Sequence, residues 1–287
     1  MQRIIFLFLF SIFSFQITAQ RIFDTTVVIP KGNFYFLWGY NRDVYTKTTI
    51  HFKNDGDPAQ MNEYGVYDFT IYNATAHDRP DFDKIHDVVN FTIPQYNYRM
   101  GYYFNNHKDW GIEINFDHAK YVVDDWQTVH IKGNILGQAV DKDTLLNPAY
   151  FHFEHTDGAN FLMLNAMKRW KFLSSKNQKS NFGVVVKTGL GIVIPRTDVT
   201  IFGDRLNNNW HIAGMIVGVE TGLRAELWKH FVIEFTGKTT YADYMNCLVH
   251  IKGNGTAQHM FGTGECILTM GYQFDCGHWG KNVKWIR

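Results

Sequence analysis

Residues 95–102 read Gln95-Tyr96-Asn97-Tyr98-Arg99-Met100-Gly101-Tyr102, with a bulky side chain at every second place and a polar or small one between. Successive side chains of a strand point to opposite faces, so this segment makes a ribbon that is greasy on one side and polar on the other. The pattern repeats in Ile112, Ile114 and Phe116 against Glu113, Asn115 and Asp117, and again in Phe231, Ile233 and Phe235 against Glu234, Thr236 and Lys238. It returns in Cys266, Leu268, Met270, Tyr272 and Phe274 against Glu265, Thr269, Gly271 and Gln273. Each run has about the 9 to 11 residues that a tilted strand needs to cross the apolar layer of a bilayer.

A soluble sandwich alternates too, so the connections decide. Short ones (Phe104 to Lys108, Ser174 to Ser180, Trp228-Lys229) take turns with long ones, roughly 51–89, 123–157, 195–208 and 244–256. Tight turns on one side and long loops on the other belong to an antiparallel up-and-down transmembrane β-barrel with short periplasmic turns and long extracellular loops. Eight strands are expected, at 34–50, 90–103, 109–122, 158–173, 181–194, 209–226, 230–243 and 257–274. Residues Tyr64 to Ala74 are also strand-like; they are assigned to a loop hairpin, and ten wall strands is the alternative.

Composition excludes several other classes. The chain has 287 residues, 45% apolar and 16% aromatic, with a formal net charge of +1, so it has no field to attract nucleic acid. Cys247, Cys266 and Cys276 are too few and too scattered for a disulfide framework or a thiolate zinc site, and no more than one bridge is expected. No metal and no cofactor is expected. Met1-Gln2-Arg3, an apolar run from Ile4 to Phe15, and Ile17-Thr18-Ala19 read as an export signal peptide over 1–19. The remaining organisation is then a periplasmic segment at 20–33, the barrel at 34–274, and a basic, Trp-bearing periplasmic tail at 275–287.

An eight-stranded lumen is just wide enough to be filled by side chains. The polar faces fill it with Arg99, Lys187, Arg224 and Lys238 against Glu113, Asp117, Glu220, Glu234 and Glu265. Buried charges must be paired, so the expectation is a salt-bridged plug and not a pore. That reading is preferred to an ion path along Glu220 and Arg224. Glycines at 189, 191, 214, 218, 222, 262, 264 and 271 leave room for the long side chains opposite. Trp38 and Tyr40, Tyr102 and Tyr103, Trp110, Trp170, Trp228, and Tyr272 with Phe274 are read as interfacial girdles.

The terminal Gly271-Tyr272-Gln273-Phe274 resembles the closing strand recognised by the barrel assembly machinery, although here Asp275 to Arg287 follows it. With this the chain resembles the small outer-membrane β-barrel proteins of Gram-negative bacteria, the group of OmpA-type barrels, the lipid A acyltransferase PagP and the lipid A deacylase PagL. The resemblance is one of architecture over nearly all of the exported chain, with no close match to a characterised member. It implies an outer-membrane location, contact with lipid and lipopolysaccharide, and assembly by that machinery. An envelope protein partner would be met through the loops or the 275–287 tail.

The enzymes of that group resemble one another in using a serine partnered by His. Ser174, Ser175 and Ser180 all lie in one periplasmic turn, and in Phe153-Glu154-His155-Thr156-Asp157 an Asp stands where PagL would have its nucleophile. What remains for catalysis is carboxylate with imidazole: Asp124-Asp125, His155 with Asp157, His77-Asp78 and His86-Asp87, which resemble the Asp pair and Asp/His pair of omptin proteases. As strand neighbours at i and i+2, His155 and Asp157 would share a face. Asp55 and Asp57 are candidates for a calcium contact. The favoured function is a non-enzymatic barrel whose loops make envelope, lipopolysaccharide or ligand contacts, and the alternative is an outer-rim hydrolase.

Overall fold

The computed structural model describes residues 32–56, 66–79, 95–104, 109–249 and 255–276. The export signal, Asp57, His86-Asp87 and tail residues 277–287 lie outside the described residues. In chain order the strands are β1 (Asn33–Tyr45), β2 (Thr48–Asn54), β3 (Tyr67–Ala74), β4 (Ala76–His77), β5 (Tyr96–Tyr103) and β6 (Trp110–Asp117). There follow β7 (Tyr121–Val123), β8 (Thr128–Ile135), β9 (Gln138–Leu145), β10 (Phe151–His155), β11 (Phe161–Ser174) and β12 (Asn181–Val193). The last are β13 (Asp198–Ile201), β14 (Asp204–Asn207), β15 (Gly214–Leu227), β16 (Phe231–Leu248) and β17 (Gly255–Asp275).

Eight of these close a ring in the order β1-β5-β6-β11-β12-β15-β16-β17, with β17 pairing back onto β1 from Asn33↔Asp275 to Tyr45↔Thr263. All pairs are antiparallel and each wall strand neighbours the next one along the chain, as an up-and-down barrel requires. The alternation read from residues 95–102 holds through the wall. Tyr98, Met100, Ile112, Ile114, Leu164, Val217, Phe235, Leu268 and Met270 are exposed on the outside, while Asn97, Arg99, Glu113, Asn115 and Asp117 are buried within. Closure removes every free strand edge from the wall, which hydrocarbon demands because nothing there can bond an unpaired backbone group.

The long connections depart from the expectation of loops. Among the described residues they carry nine further strands, which fold into a compact head at the end of the ring opposite the short turns. β1 leaves the ring at Tyr45; β2 then pairs with the projecting start of β17, and β3, β8 and β9 continue that sheet. The strand-like 64–74 segment is therefore β3, paired with β2 and β8 outside the ring, and the wall has eight strands. A second sheet, β14-β13-β10-β7-β4, packs across the first. Phe52 of β2 stacks on Phe69 at 5.2 Å and meets the edges of Phe151 and Phe153 of β10 at 5.3 and 5.4 Å. The same apolar cluster includes Phe161, Met163, Val193, Ile216 and Phe261 at the upper ends of wall strands, so it lies over the mouth of the lumen.

The opposite end turns tightly. Between β15 and β16 the His230 amide donates to the Leu227 carbonyl, and Trp228 and Lys229 have φ of 52° and 72°. Two left-handed central residues are the mirror-image hairpin turn whose twist matches that of the strands, normally built with Asn-Gly. A left-handed non-glycine residue costs about 1–2 kcal/mol. Lys229→Gly should therefore stabilise the folded barrel by about 1 kcal/mol, less glycine's greater unfolded-state entropy. A urea titration that showed no upward shift of the midpoint would contradict this reading of the turn.

Candidate functional site

Three places concentrate chemistry: the lumen, an acid and imidazole cleft on the head, and a buried group beneath the head. In the lumen the nine sequence-identified charges lie on the inward face and are buried. Lys187 on β12 reaches Glu113 at 2.9 Å, Glu234 at 2.8 Å and Glu220 at 3.1 Å. Glu113 also accepts from the Tyr35 hydroxyl at 2.5 Å. Arg224 pairs with Glu234 at 2.5 Å and with Glu226 at 3.0 Å, and its guanidinium lies 4.5 Å from the Tyr35 ring centre. Toward the head, Arg99 pairs with Asp117 at 2.5 Å and approaches Glu113 and Glu220 at 3.8 and 3.7 Å. Lys238 bridges Asp117 and Glu265, the latter at 3.3 Å.

This arrangement places a cation between carboxylates along the lumen. Gly101 shows how the packing is made: a Cβ there would lie 2.3 Å from the Tyr35 ring, so only glycine leaves the ring its place beside Glu113.

Sequence reading missed further members. Arg169 pairs with Asp109 at 2.8 Å and with Glu226, and lies 3.8 Å from the ring centre of Tyr103, which faces the lumen and is no part of a girdle. Buried Asp43 accepts from Asn41 at 3.0 Å and Gln95 at 3.2 Å, and beside it Arg42 pairs with Asp78 at 2.8 Å. Trp110 and Trp170 are exposed on the outer wall near the short turns, with the Lys168 ammonium 5.2 and 5.9 Å from their ring centres.

On the head, β7 and β10 bring Asp124 and Asp125 to different partners. Asp124 meets His77 at 2.5 Å, and Asp125 meets His152 at 2.8 Å. His152 also lies 3.1 Å from Glu154, which takes Arg79 at 2.9 Å. His77, Arg79, Asp125, His152, Glu154 and Arg205 line an open cleft of about 460 Å³ with Val122, Pro148 and Thr200. His155 and Asp157 are not brought together. β10 ends at His155, whose side chain is buried, whereas Asp157 sits in the following turn and pairs with Arg196 at 3.0 Å. Asp55 pairs with Lys53 at 3.2 Å on the surface.

Glu154 and then Asp125 hold His152 charged, pushing its pKa up to about 8 from the ordinary 6.5. A histidine with a raised folded pKa contributes stability that is fully present below about pH 6.5 and fades as the pH rises through about 8. The site is partly open to solvent, so the contribution is of order 1 kcal/mol after screening. The head should thus become easier to unfold between pH 6.5 and 8.5, and His152→Gln should flatten that slope; equal slopes in the two proteins would refute the pairing.

The buried group lies where β10 meets the extensions of β16 and β17. His155 Nε2 is 3.2 Å from His259 Nε2, and Cys247 Sγ is 3.8 Å from His155 Nε2. All three cysteines are free thiols, Cys247 buried and Cys266 exposed on the outer wall.

No protein-family model matches the chain, and no curated protein matches it. Among solved structures it is similar to the attachment invasion locus protein Ail of Yersinia pestis, at 14% identity over 85% of this chain and 99% of that one, with a TM-score of 0.33. Neisserial surface protein A is similar at 11% identity over 84% and 97%, with a TM-score of 0.34. The outer membrane protein OprG of Pseudomonas aeruginosa follows at 12% over 88% and 99%, with a TM-score of 0.32. The barrel itself rests on the closed hydrogen-bonded ring of this chain.

Proposed function

We propose that this protein is an integral outer-membrane β-barrel, exported by its signal peptide, whose ion-paired lumen makes it a closed anchor for the two-sheet head. The single observation that carries the reading is the pairing of an apolar exterior with a buried polar interior whose cations are each ion-paired with carboxylates. A soluble protein would invert these faces, and a channel would leave the interior charges to water. The work of the molecule then falls to the head and to the lipid-facing wall, which meets outer-membrane lipid and lipopolysaccharide. Assembly would use the barrel assembly machinery, and an envelope protein or an extracellular ligand would dock on the head or on the 275–287 tail.

Two measurements test this. Ile114 lies in the outer face of β6, so Ile114→Arg should cost about 2–4 kcal/mol if that position is near the bilayer midplane. Purified wild-type protein in planar bilayers should give no steady conductance. An Ile114→Arg protein as stable as the wild type would overturn the membrane reading, and a stable open channel would overturn the closed lumen.

A rim hydrolase is the second reading, favoured by the two aspartate–imidazole pairs beside the open cleft. An imidazole held by a carboxylate can activate water. Incubation with peptide and lipid A substrates, alongside His77→Ala and Asp125→Ala, separates the readings: turnover that both substitutions abolish would displace the anchor reading.

A further inference from the structure

Beneath the head, two imidazoles and a thiol converge inside an aromatic box. The ring of Tyr244 stacks on His155 at 5.2 Å and 11°, Phe153 presents its edge to both histidines at 4.9 and 5.4 Å, and Phe261 lies 5.3 Å from His259. His155 and Cys247 are fully buried and His259 nearly so. One ring nitrogen of each histidine and Cys247 Sγ all lie within 4.8 Å of one another. The two Nε2 atoms face each other at 3.2 Å, and both Nδ1 atoms, on the far edges of the rings, are buried without a hydrogen-bond partner.

The spacing is that of ligands on one ion. Bonds of about 2.0–2.1 Å to nitrogen and 2.3 Å to sulfur, at near-tetrahedral angles, place two nitrogens about 3.3 Å apart and nitrogen and sulfur about 3.5 Å apart. The observed separations are 3.2 and 3.8 Å.

We propose that His155, His259 and Cys247 bind one soft d10 metal ion, Cu(I) in preference to Zn(II). Nitrogen and thiolate donors select this class. Charge selects within it. Binding converts the thiol to a metal-bound thiolate and releases one proton. A monovalent ion then leaves the buried group neutral, whereas a divalent ion leaves a net positive charge in an aromatic box, which is costly to bury. The three ligands come from β10, β16 and β17, so the ion would pin the second sheet of the head to the wall.

The test uses the full chain, refolded anaerobically into detergent with Cu(I) supplied from a bicinchoninate complex, or with Zn(II), and then desalted. One copper per chain, with sulfur and nitrogen in its X-ray absorption shell, is the expected result. Cys247→Ser and His259→Phe should lose stoichiometric retention while keeping the heat-modifiable migration of a closed barrel. Retention of Zn(II) but not Cu(I) would overturn the choice of ion, and retention of neither would overturn the site. Undiminished retention in a folded variant would overturn the ligand set. If a variant does not fold, the wild-type copper content and absorption shell decide alone.

Discussion

Lys187→Met should lower the stability of the barrel by about 3–5 kcal/mol, because it removes one partner of a buried ionic cluster and leaves the others without compensation. Glu113, Glu220 and Glu234 all converge on the one ammonium at 2.8–3.1 Å. Without it, the cation left to Glu113 and Glu220 is Arg99 at 3.8 and 3.7 Å, beside hydrogen bonds from Tyr35 and Thr236, and Glu234 retains Arg224. Methionine fills the volume of the lysine stem, so the loss is electrostatic and not a cavity effect. The check is the urea midpoint of the heat-modifiable band in detergent. Adding Glu113→Gln should recover part of the loss, since one of the three negative charges is then gone; residues in one network couple by about 0.5–3 kcal/mol. A single variant as stable as wild type would mean that water or counterions, and not Lys187, neutralise the lumen.

That expectation could be set out from residues 95–117, 187 and 220–238 before any coordinates, because period two leaves little freedom. Once Ile112, Ile114 and Phe116 face lipid, Glu113 must face inward, and a slip by one residue would reverse every side chain. Arg169 escaped the same logic. In β11 the inward Phe161, Met163 and Met167 are as apolar as the outward Leu162 and Leu164, so the faces are not distinguishable by polarity there. The head was hidden for a different reason. β2 and β3 carry visible alternation, but their partners are the start of β17, roughly two hundred residues away, and β8. Local pattern announces a strand and is silent on which strand it joins. The His155, His259 and Cys247 group is hidden in the same way, since its members are 92 and 104 residues apart and meet only because β10 folds over β16 and β17.

The ring and head are stabilised by different physics, and this gives the second large effect. Phe52 is fully buried between the two sheets of the head, stacked on Phe69 and edged by Phe151 and Phe153. Phe52→Ala should cost about 3–5 kcal/mol through lost transfer energy and the cavity left behind. That cost falls on the head. The ring's own apolar cluster, Tyr35, Leu37, Tyr103, Met167 and Val232, shares no residue with the head cluster, and its ladder of strand pairs does not run through β2. The variant should therefore keep heat-modifiable migration while limited proteolysis cuts its head within residues 46–95 and 118–160. In wild type those segments should resist cleavage wherever they lie in β2, β3, β7, β8 or β10. Simultaneous loss of the folded band and of protease resistance would show instead that head and ring unfold as one cooperative unit. The apolar cluster over the lumen would then have to be counted as part of the wall's own stability.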